Sequence, residues 1–533
     1  MPESSTTPHV THFKTIGVEQ VIQEEKAILL ERRKKLGLEH GDAKNPNWYG
    51  ISMSGGGIRS AIINMGILKT LNRFGLLEKA DYLSTVSGGG YCGAYIQTTL
   101  RALANKGGYA QLFHDKYMEA LRNYGEYLVP GTRFKKKWNQ LLLVISYLIS
   151  TLMSFVSPGI VILIICLLFE VLRNVILFSF PDSDFAWQLY FTDSIDEFMV
   201  GIKNSTIVTF ALYSLIGVVV LHFIANIFLN FSLHISKRFN QIENILASAL
   251  LMIVLAGSAL MFISKLVDKT IYSERILPLL PLESNNPEFQ TSDTSELDNL
   301  ALTQAILNDT TILIFIFLLL CLGFYLLGYF TNPNALSFHR YYRKQLSDCF
   351  LQFATLPWKN RTLKDFFNVD LADQNKEDCI APYPLINTCL NLLDSKDDSF
   401  AGTKSSDFFI LSPLYCGSKI TNYVSTNSHR DHKNMTLPAA TTISAAAVNP
   451  GMGNYSSPVL SAFMTIFNAR LGFWITNPKY KGKRTYPWWP AYFFKELFGF
   501  IGTSNWMVNI SDGAHIENFG AYELIRRRCS LIL

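Results

Sequence analysis

Four long runs without a charged residue interrupt the middle of this chain, and they restrict its folding more than any other feature. They are Leu141 to Phe169, Ile207 to Leu229, Ile245 to Ile263 and Ile312 to Phe330. Each is at or above the ~18 apolar residues that mark a membrane-crossing helix. As a single helix the first would reach about 43 Å. That exceeds the hydrocarbon thickness of a bilayer, so it must tilt, kink at Pro158 or begin at the interface. Composition points the same way, because only 17% of the 533 residues are charged, against ~25% in a soluble globular protein.

The loops between the runs carry alternating charge. Arg133, Lys135, Lys136 and Lys137 precede the first run; Lys237 and Arg238 separate the second and third; Arg340, Arg343 and Lys344 follow the fourth. The two remaining loops are acidic, and Lys265 to Asp309 has eight acids against three bases. Cytoplasmic loops are the ones enriched in Lys and Arg. The expectation is therefore a multi-pass integral membrane protein with both flanking segments, and both termini, in the cytoplasm. His222 and Asn226 are the notable polar residues within the runs. They read as interhelical hydrogen-bonding residues, and the sparse intramembrane charge weakens a transporter reading.

A net charge of +5 is too small for the concentrated basic face that nucleic acid requires. The eight cysteines, at 92, 166, 321, 349, 379, 389, 416 and 529, show no CxxC spacing. No zinc site, redox pair or disulfide framework is signalled. Met1 to His40 has no apolar core of a signal peptide. A helix is expected from Val18 to Leu36, closed by Gly37. Its end carries Arg32-Arg33-Lys34-Lys35, read as the solvated basic end of a packing helix or, more sharply, as part of a membrane-surface helix.

The segment Trp48 to Leu100 alternates strand and helix signals. Tyr49 to Met53 reads as a buried strand and Ser54-Gly55-Gly56-Gly57-Ile58-Arg59-Ser60 as a turn. Ala61 to Phe74 reads as a helix with Ile62, Met65, Leu68 and Leu71 on its apolar stripe. Asp81 to Val86 is a second strand, which enters Ser87-Gly88-Gly89-Gly90 before a helix over Tyr91 to Ala102. Successive glycines leave backbone N–H groups uncovered and able to converge on an anion. The first turn lacks the Gly-Lys-Ser/Thr ending of a nucleotide loop, which favours an oxyanion hole. The second places Ser87 on a strand-to-helix turn, the setting of a nucleophile elbow, although Thr85 stands where G-x-S-x-G begins with glycine. Late in the chain, Asp512-Gly513-Ala514-His515 follows the apolar stretch Trp506 to Ile510. Asp512 reads as a cap or as a general base toward a serine. Glu517 to Arg528 is expected to be helical. Tyr383 to Leu392 and Phe408 to Leu411 read as strands, and Leu437 to Val448 as a small-residue helix. Ser530 to Leu533 reads as a strand just beginning, as at a truncated or naturally short end.

In order and type these residues resemble the patatin-like phospholipases, whose pattern is a glycine-rich oxyanion loop with Arg, a serine elbow one β-α unit later and a late Asp-Gly-Gly/Ala. The counterparts here are Ser54 to Arg59, Val86 to Gly89 and Asp512 to Ala514. The Ser-Gly-Gly-Gly-x-Arg form is similar to the group IV cytosolic phospholipase branch, since Ser54 stands where many patatins have Asp and Ser60 where they have Gly. The resemblance covers about Tyr49 to Ile96 and the region from Lys404 onward. It implies an α/β fold with a central sheet flanked by helices, here split by an inserted four-helix transmembrane bundle. It also implies a Ser87/Asp512 dyad, with Gly55, Gly56 and Gly57 as the oxyanion hole and no metal or cofactor. Arg59 then contacts lipid phosphate or braces the loop, and His515 is structural.

The expected division is 1–130 and 346–533 as the two halves of the hydrolase domain, with 131–345 as the membrane insertion. Membrane phospholipid is the expected substrate. A receptor or scaffold carrying an inactive hydrolase domain, or an acyltransferase on the same fold, are the alternative readings.

Overall fold

The computed structural model describes residues 15–38, 46–104, 106–123, 133–179, 294–351, 380–394, 406–429, 435–456, 458–480 and 487–533. The second and third apolar runs lie outside the described residues. The chain divides into two compact units, Met1–Ser154 with Thr331–Leu533, and Phe155–Phe330.

The first unit is an α/β fold around a nine-stranded mixed sheet. Its strands are β1 (Tyr49–Met53), β2 (Tyr82–Thr85), β3 (Tyr383–Asn391), β4 (Ser406–Leu411), β5 (Tyr415–Ser418), β6 (Asn422–Ser425), β7 (Phe473–Thr476), β8 (Met507–Asp512) and β9 (Leu531–Ile532). The order along the sheet is β6-β5-β4-β3-β2-β1-β9. The β9-β1-β2-β3 portion is parallel, and β3-β4-β5-β6 continues as antiparallel neighbours. β8 adds antiparallel to β3, and β7 to β8.

The labelled helices are α1 (Val18–Lys35), α2 (Gly57–Arg73), α3 (Gly88–Leu103), α4 (Arg133–Ser179), α5 (Thr294–Phe330), α6 (His339–Phe350), α7 (Leu437–Ser444) and α8 (Tyr522–Arg526). Alternation along the strands sends side chains to opposite faces of the sheet. Ile51, Met53, Leu83 and Ile386 join α2, α3, α6 and α7 in one core. Tyr82, Tyr383, Leu385 and Ile410 join Val21 and Leu29 of α1 and Leu524 of α8 in another. Helices thus cover both faces, as parallel strands buried on both sides require.

Several expectations change at this level. α2 begins at Gly57 rather than Ala61. It buries Ala61, Asn64, Met65 and Leu68, while Ile62 is 68% exposed. Helix is confined to Tyr522–Arg526 within the expected Glu517 to Arg528 stretch. Gly520 there takes a φ of +74°, and the Asn518, Phe519 and Gly520 carbonyls face other strands and turns. α7 ends at Ser444, before Val448.

The basic end of α1 is only partly solvated. Arg32 is buried, donating to the carbonyls of Ile380, Ala80 and Glu78 and to the Tyr109 hydroxyl. Arg33 pairs with buried Asp81 at 2.6 Å. Their charges staple α1 to the loops at the N-terminal ends of β2 and β3.

α4 is one continuous helix of 47 residues that carries the whole first apolar run, Pro158 included. Within the first unit, Tyr147 and Thr151 donate to the Phe467 carbonyl at 3.0 and 3.1 Å. Among the described residues, one helical stretch is long and apolar enough to cross a membrane, Thr310–Phe330. Phe315, Leu318, Leu319, Leu322 and Tyr325 within it are exposed. A four-helix bundle is not seen among the described residues.

Candidate active site

The two strands that carry Ser87 and Asp512 approach each other end to end along one edge of β3. β2 runs parallel to β3 and pairs with it from Tyr383 through Ile386, where Thr85 is the last partner. β8 runs antiparallel and takes over the same edge, with Ile510 opposite Leu390 and Asp512 opposite Thr388. Ser87 lies two residues beyond Thr85, so both chain directions lead to the same point. The Ser87 hydroxyl donates to Asp512 Oδ2 at 2.9 Å, across 425 positions of sequence.

Ser87 sits in a strained turn, with φ at +50°. A non-glycine residue pays for that conformation, and here surrounding contacts hold it. The Ser87 N–H donates to Ser444 Oγ at 3.0 Å, and Ser444 Oγ donates to the Asn387 carbonyl at 2.7 Å. Asn387 Nδ2 donates in turn to the Thr85 carbonyl and to Ser84 Oγ. Ser444 and Asn387 brace the turn from α7 and β3. Sequence reasoning missed them, because no local pattern sets either apart.

Glycine is required where the two turns touch. A Cβ on Gly88 would lie 2.1 Å from the Gly57 carbonyl oxygen, and one on Gly89 would lie 2.3 Å from that of Met53. Backbone therefore meets backbone between the turn after β1 and the start of α3. The first turn is held internally as well, since Ser60 Oγ and Asn64 Nδ2 both donate to the Ser54 carbonyl.

The three candidate oxyanion donors are not equivalent. The Gly55 N–H donates to the Asn518 carbonyl at 2.8 Å. That bond fastens the 516–521 loop to the first turn. Gly56 precedes α2 and Gly57 opens it, with no side-chain cap. Their N–H groups belong to the helix-terminal donors that lack an intrahelical acceptor. Gly88, first residue of α3, is in the same position. As the residue after the serine it adds a donor that an elbow would use, one that attention to the first glycine run alone overlooked.

Arg59 is exposed on the first turn of α2. It has no hydrogen-bond or ion-pair partner among the described residues, so the bracing role has no support there.

Asp512 is 2% exposed. Burial pushes its carboxyl up from the ordinary 3.8 to about 7, against the opposing hydrogen bonds from the Ala514 N–H and the Ser87 hydroxyl. The Ala514 N–H donates to Oδ1 at 2.9 Å, which leaves Oδ2 for Ser87. His515 turns elsewhere. Its Nδ1 lies 2.9 Å from Ser511 Oγ and its Nε2 lies 3.2 Å from the Ala447 carbonyl. Burial lowers its pKa to about 4. The imidazole stays neutral and ties the segment after β8 to the one after α7. A carboxylate poised near neutral pH beside a serine hydroxyl, with backbone donors close by, is the equipment for nucleophilic acyl chemistry.

No protein-family model matches the chain. A Saccharomyces cerevisiae protein described as "Putative meiotic phospholipase SPO1" is 42% identical over 48 residues, which are 9% of this chain and 8% of that protein. The likeness thus spans a small part of either protein.

Proposed function

We propose that this protein is a membrane-anchored serine acyl hydrolase of the patatin-like type, cleaving fatty-acyl esters of membrane lipids through a Ser87/Asp512 dyad. The observation that carries the reading is the 2.9 Å hydrogen bond from Ser87 Oγ to buried Asp512 Oδ2. The short likeness to a yeast protein described as a phospholipase points to the same class of chemistry.

In this reading Asp512 accepts the Ser87 hydroxyl proton as Oγ attacks the acyl carbonyl. The N–H groups of Gly56, Gly57 and Gly88 receive the oxyanion, each worth about 3 kcal/mol in the transition state. Collapse breaks the ester C–O bond, and the departing lysolipid alcohol takes the proton from Asp512. Water then attacks the acyl-serine, giving its proton to Asp512. The second collapse frees the fatty acid and returns the proton to Ser87. Arg59, exposed beside the first turn, is suited to the phosphate of a phospholipid.

The four apolar runs are the anchor, inserted between the two halves of the hydrolase domain. An even number of crossings returns the chain to the cytoplasmic side, so that both halves can fold together. The substrate is then glycerophospholipid of the cytoplasmic leaflet, which the basic residues Lys135, Lys136 and Lys137 adjoin.

The test is a fluorophosphonate probe on membranes containing the full chain. Covalent labelling is expected for the parent and absent in Ser87→Ala. The purified protein in phospholipid vesicles should release fatty acid and lysophospholipid with the same dependence. Labelling that persists in Ser87→Ala would reject the nucleophile. Hydrolysis of triacylglycerol with phospholipid untouched would reject the substrate and leave the mechanism standing.

A further inference from the structure

We propose that the outer face of α2 is a docking surface for an anionic phospholipid bilayer, set at the mouth of the Ser87 turn. At 100° per residue, Arg59, Ile62, Ile63, Gly66, Ile67, Thr70 and Phe74 share one face of this helix and its end, and all are exposed. Ile62 is 68%, Ile63 64% and Phe74 69% exposed. A helix that packs one face on a sheet ordinarily turns polar residues outward. Here the outward face carries the large apolar side chains Ile62, Ile63, Ile67 and Phe74, and Ala61, Met65 and Leu68 supply a second apolar face toward the core. The helix is coated on both sides, and a protein interior accounts for only one of them.

Charge selects the occupant. Gly57 to Phe74 contains Arg59, Lys69 and Arg73 and no Asp or Glu, and all three cations are exposed. Exposed isoleucine and phenylalanine flanked by cations are the two components of an interfacial helix, one entering the acyl boundary and the other meeting anionic headgroups. A second copy packed by two-fold symmetry would set this face against itself, bringing cations toward cations with no acid on the helix to pair them.

The position of the helix gives the contact its purpose. α2 starts at Gly57, whose carbonyl packs on Gly88, the neighbour of Ser87. Phe519, 71% exposed, belongs to the loop whose Asn518 carbonyl accepts the Gly55 N–H. Seating α2 in the headgroup layer would hold the glycine turn at the lipid surface, so an acyl chain need travel only a short path to the serine. This purpose rests on the acyl-hydrolase reading, whereas the docking itself does not.

The test uses the full chain reconstituted in vesicles of phosphatidylcholine with phosphatidylserine. An environment-sensitive fluorophore is placed at Ile63→Cys or Ile67→Cys, with Lys419→Cys on the β5–β6 turn as comparison and the labelled parent as background. Lipids carrying a nitroxide near the headgroup should quench the α2 positions at least threefold more than position 419. Combining Lys69→Glu with Arg73→Glu should remove that excess. Equal quenching at the three positions overturns the proposal, as does a disulfide between two copies at Ile63→Cys without quenching, which would assign the face to self-association.

A second arm compares substrates. Ile63→Glu with Ile67→Glu should lower vesicle hydrolysis at least tenfold and leave a soluble short-chain ester within twofold. Equal losses on both substrates would overturn the docking role. Absence of all ester hydrolysis in the parent would instead reject the acyl-hydrolase reading, and the quenching result would still decide whether α2 docks.

Discussion

At the scale of single residues, the proposed chemistry and the stability of the site oppose each other at Asp512. Burial lifts its carboxyl to about 7, so the folded state holds a proton more tightly than the unfolded chain does. Stability is therefore greatest below about pH 4 for this group, falls as pH rises from the ordinary value toward 7, and is not regained above it. Hydrolysis by contrast needs the ionised form, so kcat/KM should rise through pH ~7 and level off. Asp512→Asn is expected to reduce hydrolysis by about 10⁴-fold or more, while gaining up to about 4 kcal/mol of stability at pH 8. That gain should shrink to nothing near pH 4. Thermal melts of the detergent-solubilised variant and parent across pH 4–8, with parallel turnover, check both. A variant less stable than the parent at every pH would show that the amide does not fit the pocket. An activity limb centred near pH 4 would show that Asp512 titrates as an ordinary carboxylate.

At the scale of elements, distant parts of the sequence are fastened by buried charge. Arg527, at the end of α8, reaches Glu25 in α1, with Nε 2.6 Å from Oε2 and Nη2 2.9 Å from Oε1. Glu523 also pairs with this guanidinium. The two helices cover the same face of the sheet, and this triad locks them across 502 positions. Removing one partner of such a pair leaves a charge buried and underpaired, at a cost of about 3–5 kcal/mol. Glu25→Ala should therefore lower stability by that amount in urea titrations of the solubilised protein. A loss under about 1 kcal/mol would mean that Glu523 alone satisfies Arg527. The same economy operates at the candidate site, where β2 and β8 share one edge of β3 and deliver their last residues to one place. Their register on β3 sets the Ser87–Asp512 distance, so no loop of special length is required.

At the scale of the whole molecule, charge in the connecting loops and the meeting of two sequence-distant halves make one joint demand. Ser87 and Asp512 belong to the same compact unit, so the segments that carry them must lie on one side of any membrane the chain crosses. The four-span proposal satisfies this with both flanks cytoplasmic. In sealed microsomes, a cysteine introduced between Arg133 and Trp138 should react with an impermeant maleimide without permeabilisation. One introduced between Ser295 and Asn299 should react only after it, each read as the increment over the parent. Equal reaction of both before permeabilisation would break the four-span topology.

Much of the local architecture was legible because it is encoded locally. Strand–turn–helix alternation from Tyr49 to Leu103, the serine on its turn and the late Asp-Gly are short-range patterns, and short-range sterics enforce them. Reading failed where a long-range partner decided the outcome. Ile62 fits an inward stripe by periodicity but faces outward, because the packing of α2 selects Ala61, Asn64, Met65 and Leu68 instead. The stretch after Glu517 has helical character, yet its backbone serves Gly55, Ser52 and Ser84 of other elements. For the same reason Gly55 loses its free amide, while Gly88 gains a place beside the first turn. Sequence by itself determined which residues stand on turns and which stretches are long, apolar and free of charge. Only tertiary structure decided which of those turns meet. Pairing along β3 joins two strand ends 425 positions apart, and no interaction within either segment specifies that edge.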